Sequence, residues 1–191
     1  MMLTDVTGRI ATHLHTSTLM ACLLMIPTAG ALAQPHVHGV AQLLLVQDNA
    51  RIHMEFTSPA INMVGFEHSP RTDAERQAID EVRRALANLD SILTLSALDC
   101  DVDSIETAVT GMISIDGDTH NHHRHLHDAD HAEFTATFEL SCSRAQLPSE
   151  LVITAFDNFQ DLESIHATWS LQDTQGAQHL PRQNTRLRLR P

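Results

Sequence analysis

The chain has 191 residues, of which 42% are hydrophobic and 19% charged, a balance typical of a globular protein of one domain. It carries 12 basic residues, all arginine, against 24 acidic residues, and its formal net charge is -12 at neutral pH. An acidic surplus with no tyrosine and 1 tryptophan argues against a nucleic-acid partner, because such partners need clustered cations and stacking aromatics. Histidine is the unusual component, with 14 residues.

An export signal occupies the N-terminus. Residues 19–32 form an apolar run that is too short to span a membrane, and an A-x-A cleavage pattern ends at Ala33. We therefore expect residues 1–33 to be a signal peptide that is cleaved after Ala33. Residues 34–191 then form a single periplasmic domain with no membrane insertion.

The cysteines predict one disulfide. Cleavage removes Cys22 and leaves Cys100 and Cys142. An even number of cysteines in an oxidising compartment favours a bridge between them over two free thiols. In the chain-entropy model, a loop of this span contributes about 4 kcal/mol.

Alternating apolar residues predict a β-hairpin at the start of the exported domain. The first strand covers residues 38–46, turn residues follow at Asp48 and Asn49, and the second strand covers residues 51–57. Pro59 stops the second strand and opens a loop.

A helix is predicted after this loop. Thr72 and Glu75 have the spacing of a capping box, which marks a helix N-terminus. We expect the helix to end near Asp90 and to lie on a sheet through one apolar face, formed by Ile79, Val82, Leu86 and Leu89.

The second half of the chain reads mainly as strands. Residues 100–115, interrupted at Gly111, and residues 132–142 predict a long hairpin around a polar stretch. In the first of these strands, Val102, Ile105 and Val109 are the expected inward groups. A strand at 151–153, a helical turn at 155–159 and strands at 165–171 and 185–189 complete the prediction of an α+β fold, in which an antiparallel sheet carries one main helix.

The polar stretch is a histidine-rich loop. Residues 116–133 read DGDTHNHHRHLHDADHAE, with 6 histidines and 5 carboxylates. Imidazole suits Zn, Cu and Ni, and carboxylates help to hold a divalent cation. With Leu126 as its one large apolar residue, the loop is predicted to be a flexible collector of several ions, weakened locally by Arg124. Its candidate ligands are His120, His122, His123, His125, His127, Asp128, Asp130 and His131.

A second candidate metal site combines two short motifs. His36 and His38 are two residues apart, so on an extended chain both side chains point the same way. Glu67 and His68 could supply further ligands from the loop after the hairpin, and the new α-amino group is another possible ligand. Three further histidines stand alone in the sequence and are read as ordinary surface or partly buried residues: His53, His166 and His179.

These motifs occur together in a known family. The stretches His36-Val37-His38-Gly39 and Gly65-Phe66-Glu67-His68-Ser69-Pro70, with a His-rich segment between two cysteines, resemble the ZrgA-like family of periplasmic zinc-uptake accessory proteins. The resemblance covers residues 34–191. It implies zinc binding in the periplasm of a Gram-negative bacterium, in support of an ABC-type zinc importer. It also adds weight to the motif histidines, although the motif could equally be structural, with Gly65 shaping the backbone and Glu67 capping the helix.

The expected function is therefore non-catalytic capture of Zn²⁺, or of another divalent transition metal, for a periplasmic importer component. An alternative uses the same residues in a periplasmic buffer or resistance protein for copper, nickel or excess zinc. An enzyme is not expected, because the chain has no H-E-x-x-H, G-x-S-x-G or P-loop motif.

Overall fold

Strands form most of the domain. The computed structural model describes residues 37–94, 100–112, 132–143 and 147–190. The strands are β1 (Val40–Asp48), β2 (Arg51–Pro59), β3 (Leu93–Thr94), β4 (Cys100–Thr110), β5 (Glu133–Cys142), β6 (Glu150–Ile153), β7 (Ser164–Ser170), β8 (Gln175–Pro181) and β9 (Arg186–Arg188). The helices are α1 (Ile61–Val64), α2 (Asp73–Leu86) and α3 (Ala155–Asn158).

The main sheet has six strands in the order β4-β5-β2-β1-β7-β8. Its neighbours are antiparallel except for β1 and β7, which are parallel. The prediction of an antiparallel sheet is therefore wrong at this pair. The reason is the long connection between the two strands, which runs from β2 to α3 and includes β3 and β6 of a second sheet, β3-β6-β9; β7 then enters beside β1 from the same end. The predicted α+β class is confirmed in broad terms.

Period-2 alternation explains the core. The inward side chains of β2 and β5 are buried, and among them Phe56, Phe134 and Phe138 are fully buried. Fully burying one such ring contributes about 1.5–3 kcal/mol relative to an exposed ring. These strands lie side by side in register, and Met54 faces Phe138 across the pair. The alternation seen in the sequence thus becomes one continuous apolar face.

The main helix begins as predicted and ends earlier. The Thr72 side chain accepts a hydrogen bond from the Glu75 N–H, and the Glu75 side chain accepts one from the Thr72 N–H, which completes the capping box. The expected end near Asp90 is wrong, because Asn88 is extended and its side chain caps a separate 3-10 turn. Leu89 remains buried through that turn.

The predicted long hairpin is formed by β4 and β5. Cys100 lies opposite Cys142 in register, and the two are joined in the disulfide expected from the sequence. Val102 and Ile105 lie opposite inward-facing residues of β5 but are 43% and 39% exposed, so the prediction that they are inward groups is only partly right. The cause is the position of β4 at the edge of the sheet, where little packs over it.

The remaining predicted elements are present, and others were missed. β6, α3, β7 and β9 lie where the sequence indicated them, whereas α1, β3 and β8 had no prediction. All described residues belong to one compact unit, Pro35–Pro191. The predicted signal peptide, residues 1–33, lies outside the described residues. Among the helices that the structure describes, none is both long and apolar enough to cross a membrane.

Candidate metal centre at one end of the sheet

The sheet topology brings separate motifs to one end. β1 begins at Val40 and β2 ends at Pro59, and the two strands are antiparallel. β5 begins with Glu133 opposite Pro59, and Thr110 at the end of β4 lies opposite Glu133. We call this the motif end of the sheet. The H-x-H-G stretch enters it, the G-F-E-H loop leaves it, and the chain departs toward the His-rich loop from the same end.

A buried asparagine ties two of these segments together. Asn62 in α1 is 2% exposed, and its Oδ1 accepts a hydrogen bond of 2.7 Å from the Gly39 N–H. Its Nδ2 donates to the Val40 carbonyl and to Ser58 Oγ, both at 3.1 Å. The amide therefore fixes the residue after His38 against the helix that leads to the G-F-E-H loop. Sequence reasoning missed Asn62, because its partners lie more than 20 residues away for two of the three bonds.

The glycine of H-x-H-G has a conformational role. Gly39 has φ +78, a left-handed conformation that residues with a Cβ rarely adopt. A Cβ placed there would lie 2.9 Å from the carboxylate carbon of Glu163. The Gly39 carbonyl also accepts hydrogen bonds from the N–H groups of Glu163 and Ser164. Glu163 thus places an additional negative charge beside the motif, and nothing in the sequence pattern singled it out.

His38 and Glu67 meet at the motif end. His38 Nε2 lies 3.7 Å from Glu67 Oε2, and the two side chains are 68% and 19% exposed. The second oxygen, Oε1, is a buried atom with no hydrogen-bond partner in the described part of the chain. A buried carboxylate oxygen without a partner is costly, and a cation would satisfy it. The expected helix-capping role of Glu67 is not found, because Thr72 and Glu75 cap α2.

His68 is oriented by its neighbours. Its ring stacks on Phe66 with centroids 4.9 Å apart, and its Nδ1 lies 2.9 Å from the Ser69 carbonyl oxygen. A carbonyl only accepts, so this contact needs the proton on Nδ1 and leaves the Nε2 lone pair for a metal. Gly65 ends α1 with φ +80, in agreement with its expected role in shaping the backbone.

The ligand set is only partly within the described residues. Among them, no group of three or more histidine, cysteine or acidic side chains is placed to hold one ion. His38 and Glu67 are therefore brought together, without His68 completing a cluster. The other predicted ligands lie outside the described residues: His36, His120, His122, His123, His125, His127, Asp128, Asp130 and His131.

The three histidines read as isolated have specific neighbours. His53 Nδ1 lies 2.6 Å from Glu139 Oε1, across the β2–β5 pair. His166 and His179 face each other across β7 and β8, with ring centroids 4.8 Å apart. Each contact depends on the register of two paired strands, which the sequence around a single histidine does not reveal.

One carboxylate near the motif has a shifted pKa. Hydrogen bonds from the Arg71 N–H and then the Thr72 N–H hold the pKa of Glu75 below its usual range, and nearby His68 acts in the same direction. These interactions favour the ionised carboxylate and stabilise the start of α2. The G-F-E-H loop is therefore followed directly by a well-capped helix.

The fold and this centre define a β-rich α+β domain with imidazole and carboxylate groups at one end of its sheet. The model of the ZrgA family, described as a zinc uptake protein, matches residues 35–189. The chain therefore belongs to the ZrgA family, and the resemblance stated from the sequence is confirmed. Membership assigns it a role in zinc uptake, and the description is that of an uptake protein rather than of an enzyme. No curated protein matches the chain.

Proposed function

We propose that this protein is a non-catalytic periplasmic zinc-binding protein that captures Zn²⁺ and supports its uptake by an ABC-type importer. The observation that carries the proposal is the pairing of His38 with Glu67, whose buried Oε1 lacks a protein partner in the described residues. Imidazole nitrogen and carboxylate oxygen are both common zinc ligands. Family membership supports zinc as the ion.

Capture would begin at the pair of ligands at the motif end, His38 and Glu67. His38 and Glu67 supply one nitrogen and one carboxylate, and a zinc site needs about four ligands in all. His36 and the α-amino group of the exported chain are the proposed additions from the N-terminal side. Asn62 and Gly39 would help to position the His38–Glu67 pair without contacting the ion themselves.

The His-rich loop would act as a collector connected to the same end of the sheet. The described chain reaches Met112 after β4 and resumes at Ala132, whose carbonyl accepts a hydrogen bond from the Ala60 N–H at the start of α1. Residues 116–131 would thus collect ions in a segment that is joined to the sheet beside the G-F-E-H loop. The net charge of -12 favours the approach of cations.

Two features support export to the periplasm. One is the apolar run with its A-x-A pattern before residue 34. The other is the Cys100–Cys142 disulfide, since disulfides persist in oxidising compartments.

Isothermal titration with Zn²⁺ tests the proposal. The exported chain should show binding that is weakened at least about tenfold, or about 1.4 kcal/mol, by His38→Ala or Glu67→Gln. A variant lacking residues 116–131 should bind fewer Zn²⁺ ions but keep the binding that depends on His38. His53→Gln is the matched control, because it removes an imidazole from the sheet away from the motif end. Absence of zinc binding in every variant and in the parent chain would rule the proposal out.

A physiological comparison separates uptake from detoxification. Deletion of the protein should slow growth when zinc is scarce and leave growth in excess zinc, copper or nickel unchanged. The opposite pattern would favour the buffer or resistance function.

A further inference from the structure

The outer face of the sheet carries a second pair of imidazoles. His166 on β7 and His179 on β8 are direct cross-strand partners, and both side chains are exposed. Their ring centroids are 4.8 Å apart, and the ring planes are inclined by 79°. We propose that His166 and His179 form a two-imidazole binding site for a late first-row divalent cation, such as Zn²⁺ or Cu²⁺.

The separation of the rings matches shared coordination. A metal bound at about 2.0–2.1 Å from an imidazole nitrogen lies about 3.2 Å from the ring centroid. Two such rings with a nitrogen–metal–nitrogen angle of about 90–109° then have centroids about 4.5–5.2 Å apart. The observed 4.8 Å falls within this interval. Small rotations of the side chains, without movement of the strands, would bring one nitrogen of each ring onto a common ion.

The strands hold the pair in place. β7 and β8 are paired in register from Ser164–Pro181 to Ser170–Gln175. The neighbouring cross-strand partners Ile165 and Leu180 are fully buried, which anchors both strands next to the pair. Because the two ligands are already adjacent, binding requires the ordering of side chains only, and this lowers its entropic cost.

The surroundings permit a cation. In the strand register, Gln42 lies beside His166 on β1, and the next outward pair along β7 and β8 is Thr168 with Ala177. None of these neighbours carries a positive charge, and Ala177 leaves space beside the rings. Two protein ligands leave the other positions to water, so the site should exchange ions faster than a site with a full set of protein ligands.

The His166–His179 pair is separate from the His38–Glu67 pair, and the inference does not rest on the proposed function. His166 lies beside Gln42, the third residue of β1, and the two ligands of the proposed site come from β7 and β8 alone. A carboxylate-oriented histidine, His53 with Glu139, lies on the same outer face but supplies a single imidazole. It is therefore a natural control.

Side-chain NMR of the histidines during titration with Zn²⁺ alone tests the site in the whole exported chain. Each imidazole gives its own nitrogen signals, so the His-rich loop does not obscure the pair, and His166→Gln and His179→Gln provide the assignments. We expect the signals of His166 and His179 to change together with one midpoint. In His179→Gln the midpoint for His166 should rise at least about tenfold, whereas His53→Gln should leave it unchanged.

Two results would overturn the proposal. One is that neither ring responds at a Zn²⁺ concentration that saturates the other histidines. The other is that His166 responds equally in the parent and in His179→Gln. Backbone amide spectra that match the parent establish that the variants are folded.

Discussion

Asn62→Ala should both destabilise the fold and weaken zinc binding at the motif end. In the parent chain the Asn62 amide satisfies the Gly39 N–H and the Val40 carbonyl. Alanine would leave these two backbone groups without partners in a site where Asn62 is only 2% exposed. Each such group costs about 1–3 kcal/mol, so the free energy of unfolding should fall by about 2–6 kcal/mol.

Urea unfolding followed by the fluorescence of Trp169, the one tryptophan, measures this loss. Asn158→Ala is the matched control. The side-chain amide of Asn158, in the short helix α3, also donates two hydrogen bonds to backbone carbonyls, but the residue is exposed. Water can replace its bonds, and its cost should stay below about 1 kcal/mol. An Asn62→Ala loss no larger than that of the control would refute the argument from the buried network.

The functional half of this prediction uses conditions in which Asn62→Ala remains folded. Release of Gly39 from the asparagine should allow His38 to leave Glu67. Isothermal titration should then show weaker Zn²⁺ binding at the His38-dependent site and unchanged Zn²⁺ binding to the His-rich loop. Unaltered affinity at the His38-dependent event would show that the asparagine serves stability alone.

Three further predictions concern the rest of the domain. Serine at both disulfide cysteines should lower the free energy of unfolding in urea by about 4 kcal/mol, and equal stability of the two forms would contradict this. Gly176→Ala should cost about 1–3 kcal/mol in the same assay, because its Cβ would lie 2.5 Å from the Trp169 ring; an unchanged midpoint would show that the ring moves freely. Glu75→Gln should remove stability that is present above the usual carboxylate pKa of about 4.3 and is lost as pH falls through the lowered pKa of Glu75. Thermal unfolding from pH 7 to 2 measures the difference in stability between Glu75→Gln and the parent, which should shrink in acid. For the control Glu81→Gln, the difference in stability from the parent should not depend on the Arg71 contact.

Local patterns predicted the strands whose two faces differ. The alternation in β2 and β5 is visible in the sequence because one face is buried against the core and the other is outward. β8 was missed for the opposite reason: among its residues only Leu180 is buried, so Gln175–Pro181 has no apolar alternation. Parallel pairing of β1 with β7 was also missed, because local periodicity carries no information about which distant strand becomes the neighbour.

The candidate site divides in the same way. Composition and spacing pointed to His38 and Glu67, since metal ligands leave a mark in residue type. Asn62 and Glu163 left no such mark, because their importance lies in contacts with the backbone of Gly39.

The placement of the motifs follows from strand direction. A segment before β1 and a segment after β2 meet at one end because the strands are antiparallel. The end of β4 at Thr110 and the start of β5 at Glu133 lie there too, because β5 is antiparallel to β2 and begins where β2 ends. The Cys100–Cys142 disulfide lies at the opposite end, where the Cys142 N–H donates to the Ala50 carbonyl. The register of β4 and β5 is thus fixed at the end away from Thr110 and Glu133, so we expect a change in the length of the histidine-rich segment to leave these strands, and the segments that carry His38 and Glu67, undisturbed.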